Sequence, residues 1–190
     1  FQSCGWEKGI SVKPELYAGS RVDQDSFLRF LQEIPKRRPR FVFVHFGDAD
    51  EEAHLQGSLA ASGLRPDIFK YHQALRESDY YIGRIWRLLQ EDVFYKDSTH
   101  LIVTTDHGRD NLPDPRQFWD HGECLHANGG RLCSGCRSVF ALIVGPGIEP
   151  QVVRTAYTHL DLAPTIAAIL GRRMPTARGR VISEALPKGT

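Results

Sequence analysis

Phe41-Val42-Phe43-Val44-His45-Phe46-Gly47-Asp48-Ala49-Asp50-Glu51-Glu52-Ala53-His54 is the stretch whose reading decides the fold. Its first six residues form a nearly continuous β-prone run, the pattern of a strand buried on both faces. Gly47 ends that run and an acidic segment follows at once. Asp50 and His54 are four apart, so one turn of helix sets both side chains on one face. A carboxylate beside an imidazole is a favourable pair of zinc ligands. A solvated helix start has the same composition, and Asp48, Glu51 and Glu52 are competing carboxylates, so spacing alone leaves the choice open.

The same strand-then-polar pattern recurs on the C-terminal side. Leu101-Ile102-Val103-Thr104 reads as a second buried strand and runs into Thr105-Asp106-His107-Gly108-Arg109. A carboxylate and an imidazole are adjacent there, and Gly108 permits a tight turn in which both can face one metal. The bland alternative is a capped turn with a surface histidine. Residues 139–144 form a third apolar run, stopped by Gly145-Pro146-Gly147 and preceded by the loop cluster Trp119-Asp120-His121-Gly122.

Helical periodicity fills the spaces between the runs. Phe27, Phe30, Leu31 and Ile34 predict a helix over residues 26–34 that Pro35 ends. Residues 66–90 predict a long helix with a core stripe of Tyr71, Leu75, Ile82, Ile85 and Leu89. Residues 160–170 predict another, closed by Gly171. The opening stretch to about Gln24 reads as irregular. Apolar strands separated by long helices argue for a three-layer α/β/α arrangement around a largely parallel sheet. Ligands collect at the strand ends of such sheets, where the polar clusters fall.

Together the clusters supply two carboxylates and three imidazoles, a set suited to zinc, with manganese or iron as alternatives. Arg109 and Arg116 have guanidinium geometry suited to phosphate, though each reads equally well as a loop surface charge. His45 reads as a packed strand residue, and His72, His100, His126 and His159 as surface or structural groups. Asp161 reads as a helix cap. The four cysteines, Cys4, Cys124, Cys133 and Cys136, read as thiols or disulfides, with Cys133-Ser-Gly-Cys136 also having the spacing of a zinc knuckle. A net charge of +1 argues against specific nucleic-acid binding. No stretch approaches the ~20 apolar residues of a membrane span.

At this point a resemblance can be stated. Gly47-Asp48-Ala49-Asp50-Glu51-Glu52-Ala53-His54, Thr105-Asp106-His107-Gly108, Asp120-His121-Gly122, Thr158-His159-Leu160-Asp161-Leu162-Ala163-Pro164-Thr165-Ile166 and Gly179-Arg180-Val181-Ile182 occur in that order. They resemble the alkaline phosphatase superfamily, above all its phosphodiesterase and nucleotide pyrophosphatase branch.

The resemblance implies a metal-dependent phosphate-ester hydrolase with two divalent ions, zinc foremost. Asp50, His54 and His121 would hold one ion, and Asp106 and His107 the other. Arg109 becomes a candidate substrate contact. The superfamily also uses an N-terminal Asp and a Ser or Thr nucleophile, and neither element is evident before Asp50. The expectation is therefore a single partial catalytic domain over residues 1–190, the C-terminal portion, with no nucleophile of its own. Its expected partners are a small phosphorylated substrate, an N-terminal segment or companion chain, and a second copy in a homodimer. The same resemblance tilts the compartment toward periplasmic or secreted. A sulfatase or a phosphate mutase on this fold is a rival reading, as is a binding relative without a nucleophile. Sulfatases typically carry Asp-Asn and calcium where this chain has Asp106-His107, and imidazole suits zinc better than calcium.

Overall fold

A computed structural model describes residues 10–12, 22–109, 117–119, 121 and 134–187. The described chain is mixed α/β and divides into two compact units, 1–88 with 107–138, and 89–106 with 139–190.

In the first unit, β1 (Ile10–Val12) pairs in parallel with β2 (Val42–Val44), Ile10 opposite Val42. This strand lies inside the opening stretch expected to be irregular; three residues carry too little periodicity to announce a strand. Between them runs α1 (Val22–Arg37), with Asp23 and Asp25 in its first turn and Lys36 and Arg37 in its last, both matched to the helix dipole. It buries Phe27, Phe30 and Ile34 along one stripe, each worth roughly 1.5–3 kcal/mol. Pro35 does not end α1 as expected. It costs one backbone bond near the helix terminus, and the chain stops only where Arg38 turns left-handed at φ 46° and donates to the Ile34 carbonyl.

α2 (Asp48–Ala61) follows β2 directly, and α3 (Ile68–Glu91) starts after a short connection. Tyr81 of α3 stacks on Phe27 at 4.8 Å between ring centroids and lies 6.0 Å from Phe46. The buried stripe of α3 is Tyr81, Ile85 and Leu89; Tyr71 and Ile82 are half-buried, and Leu75 is exposed. The expected stripe was therefore right at its C-terminal end only.

In the second unit, β3 (Leu101–Thr104) and β4 (Ala141–Val144) are antiparallel, Leu101 opposite Val144. The expected largely parallel sheet is corrected here: the described strands form one parallel pair and one antiparallel pair. Nor are the strands buried on both faces, since Phe43 is 61% and Leu142 50% exposed. Among the described residues each strand has a single partner. His45 is likewise exposed, just beyond β2.

The short helix α4 (Ser134–Arg137) belongs to the first unit and buries Cys136. Cys4, Cys124 and Cys133 lie outside the described residues, as do Arg116 and His126.

In the second unit α5 (His159–Ile169) is followed by Gly171 at φ +69°, the left-handed stop that the sequence announces. Asp161 accepts the Thr158 backbone N–H at 2.7 Å and, from across the chain, the Arg180 N–H at 2.7 Å. These two N–H groups hold its carboxyl below its ordinary value. Thr165 accepts the Ile182 N–H at 2.9 Å. A Cβ at Gly179 would lie 2.0 Å from the Leu160 carbonyl oxygen, so only glycine lets the closing segment pass there. No described helix is long and apolar enough to cross a membrane.

Candidate metal centre

α2 starts under an unusual constraint. Its own first-turn acids do not cap it. Asp23 of α1, 1% exposed, accepts the Gly47 N–H at 2.6 Å and the Asp48 N–H at 3.0 Å through Oδ1. Its Oδ2 accepts the Ser78 hydroxyl of α3 at 2.7 Å. A carboxylate on orphan N–H groups also complements the helix dipole.

That arrangement sorts the four neighbouring carboxylates. Asp48 accepts the Asp23 N–H. Glu52 accepts from the fully buried Gln56, whose own oxygen takes the Asp67 N–H. Glu51 is exposed. Asp50 accepts no backbone N–H among the described bonds and faces the imidazoles instead.

Three imidazoles meet it. The Asp50 Oδ2 lies 3.5 Å from His54 Nε2, and its Oδ1 lies 3.4 Å from His121 Nε2 and 3.8 Å from His107 Nε2. His54 and His121 approach Nε2 to Nε2 at 2.8 Å, and the His107 and His121 rings stack at 3.7 Å. Asp50, His107 and His121 offer ligand atoms within 4.8 Å of one another. His54 is more exposed than these, but its distances place it in the same group.

Each histidine is positioned by local backbone. His54 rides one turn after Asp50 on α2. His121 follows the 3-10 turn Gln117–Trp119, which approaches α2 at Gly57; a Cβ there would stand 3.0 Å from the Trp119 Cβ. His107 is set by Gly108, whose N–H bonds the Cys136 carbonyl at 2.9 Å. A Cβ on Gly108 would fall 2.2 Å from the Gly135 oxygen and 2.5 Å from that of Ser138, so the turn admits only glycine.

The donor set fits a metal. Tetrahedral zinc with nitrogen ligands near 2.0–2.1 Å separates its donors by about 3.3 Å, close to the Asp50–His54 and Asp50–His121 distances. His107 Nδ1 lies 3.0 Å from the Gly108 carbonyl, and donation there leaves Nε2 as a lone pair toward Asp50. Such carbonyl bonds are the usual support of a ligating histidine. Burial, then the neighbouring His107, push the His121 imidazole below its ordinary value, against the pull of Asp50. The neutral ring is the form that binds metal.

All four residues lie in the first unit. Asp106 lies two residues beyond β3 in the second unit and is exposed. There the His159 ring reaches the Thr105 carbonyl at 2.7 Å, a structural contact.

Arg109 is neither a loose surface charge nor open to solvent. Its side chain is 12% exposed and donates through Nη2 to Asp50 Oδ1 at 2.5 Å. Nη1 donates to the Trp119 carbonyl at 3.3 Å, and the guanidinium lies 5.8 Å from the Tyr71 ring centre. Sequence reading missed Asp23, Trp119 and Tyr71. Asp23 carries only the signal of an ordinary first-turn acid, and the two aromatics none beyond bulk.

The chain belongs to the type I phosphodiesterase / nucleotide pyrophosphatase family, which matches residues 7–176, and so to the alkaline phosphatase superfamily. Membership implies a phosphoric ester hydrolase, in a family that is typically metal-dependent. Neither a curated protein nor a solved structure matches the chain.

Proposed function

We propose that this chain is part of a metal-dependent phosphodiesterase with a two-metal site inside one alkaline phosphatase-like α/β/α domain. The observation that carries the reading is Asp50, the carboxylate of its cluster set among three imidazole Nε2 atoms at 3.4–3.8 Å. Asp50, His54 and His121 would hold one ion, and Asp106 with His107 the other. Zinc is the best match to imidazole-rich ligation, ahead of manganese or iron.

Such ions would supply Lewis-acid stabilisation of phosphoryl oxygens and ease deprotonation of a hydroxyl. The chain's own contribution is orientation. Asp23 holds the start of α2, Gly108 holds the His107 turn, and the Gly108 carbonyl keeps the His107 Nε2 lone pair inward. The nucleophilic Ser or Thr and one further Asp would come from polypeptide outside these residues, in the same chain or a companion. The substrate is a small phosphate ester.

The test is metal analysis and hydrolysis of a chromogenic phosphodiester by the complete protein and its His121→Ala variant. About two zinc per domain in the parent, and loss of about one together with most of the activity in the variant, is the expected result. Calcium in place of zinc would favour a sulfatase, and full activity in His121→Ala would remove that residue from the site.

A further inference from the structure

We propose that Arg109 is the resident counter-cation of the metal-free centre, and that a metal ion binds by taking its place on Asp50. The inference rests on the metal-site reading above and goes beyond it.

Asp50 Oδ1 is the most heavily used atom of the cluster. It accepts from Arg109 at 2.5 Å while facing His121 Nε2 at 3.4 Å and His107 Nε2 at 3.8 Å. The guanidinium, charged at any ordinary pH, stands in direct contact with this carboxylate. The pairing is built rather than incidental. Nη1 is held by the Trp119 carbonyl, Tyr71 backs the guanidinium, and the side chain is 12% exposed. Trp119 is itself 6% exposed and seated on α2 at Gly57.

A divalent ion among the imidazoles claims the same carboxylate and meets the guanidinium at close range. Like charges repel most strongly where solvent screening is weakest. Arg109 therefore stabilises the metal-free protein and lowers its affinity for metal. An outer-shell donor that merely orients Asp50 would act in the opposite sense, because losing such a donor weakens metal binding. The sign of the effect separates the two.

Arg109→Gln keeps an amide donor and discards the charge, whereas Arg109→Lys keeps the charge. Zinc affinity of the metal-stripped full chain is measured by competition with a chromogenic chelator, alongside the Tm of each metal-free protein. The expected result for Arg109→Gln is zinc binding tighter by about 10-fold or more and a lower metal-free Tm. Arg109→Lys should stay near the parent in affinity. Equal or weaker binding by Arg109→Gln overturns the counter-cation role and leaves the metal site standing. Failure of all three proteins to bind zinc overturns the metal site itself, and this inference with it.

Discussion

Two helix starts in this molecule look alike in sequence and do opposite work. α2 opens with Asp48 and Asp50 and α5 with Asp161, each an acidic residue in a first turn. At α5 the acid is spent on backbone: Asp161 takes the Thr158 and Arg180 N–H groups, tying helix start to closing segment. At α2 the equivalent duty is done by a residue about one helix away in sequence. Asp23 takes the Gly47 and Asp48 N–H groups. Relieved of capping, Asp50 turns to His54, His107, His121 and Arg109. A carboxylate becomes available for a site when another has already satisfied the helix end.

The sharpest way to break this comparison is to remove both acids. Asp50→Ala should cost about 100-fold or more in phosphodiester hydrolysis and in zinc affinity, beyond the 10–100-fold typical of outer-shell partners. Asp161→Ala should leave zinc affinity intact and lower the Tm. Equal loss of zinc in both variants would end the distinction.

Removing the remote cap comes next. Asp23→Ala leaves two backbone N–H groups and the Ser78 hydroxyl without their buried acceptor, a loss of about 2 kcal/mol. Denaturant unfolding should register it, and zinc binding should weaken with it because α2 carries two ligands. An unchanged unfolding midpoint would show that Asp23 does not hold α2.

The smallest effect is on pH. Asp161 titrates below its ordinary 3.8 because two N–H groups favour its charged form. In that window the unfolded chain binds more protons than the native one, so stability rises with pH. The contribution is complete above the unfolded value and is lost as pH falls through the lower, folded one. Asp161→Asn should flatten this acid limb of the Tm profile, whereas an unaltered limb would assign it to other carboxylates.

The helices were legible because their signal is local. Phe27, Phe30 and Ile34, the Gly171 stop and the Asp161 cap all follow from contacts within a few residues of chain. Pairing was not: residues 101–104 and 139–144 look the same as parallel or antiparallel strands, since apolar content says nothing about direction. The cluster motifs around Asp50, His107 and His121 were visible as candidates, and the family resemblance, not their spacing, ranked Asp50 over Asp48 or Glu52.

By itself, then, the sequence determined where α1, α3 and α5 lie, where apolar runs give way to polar clusters, and which family the order of those clusters resembles. Tertiary structure alone decided which carboxylate faces the imidazoles, what Arg109 holds, and that β3 and β4 run antiparallel. The reason is range. Helical periodicity and caps act over three or four residues, whereas the contacts from Asp23 to Gly47 and from Asp50 to Arg109 and His121 join residues 24 to 71 positions apart. Such contacts depend on the packing of whole elements, and leave no periodic trace in the chain.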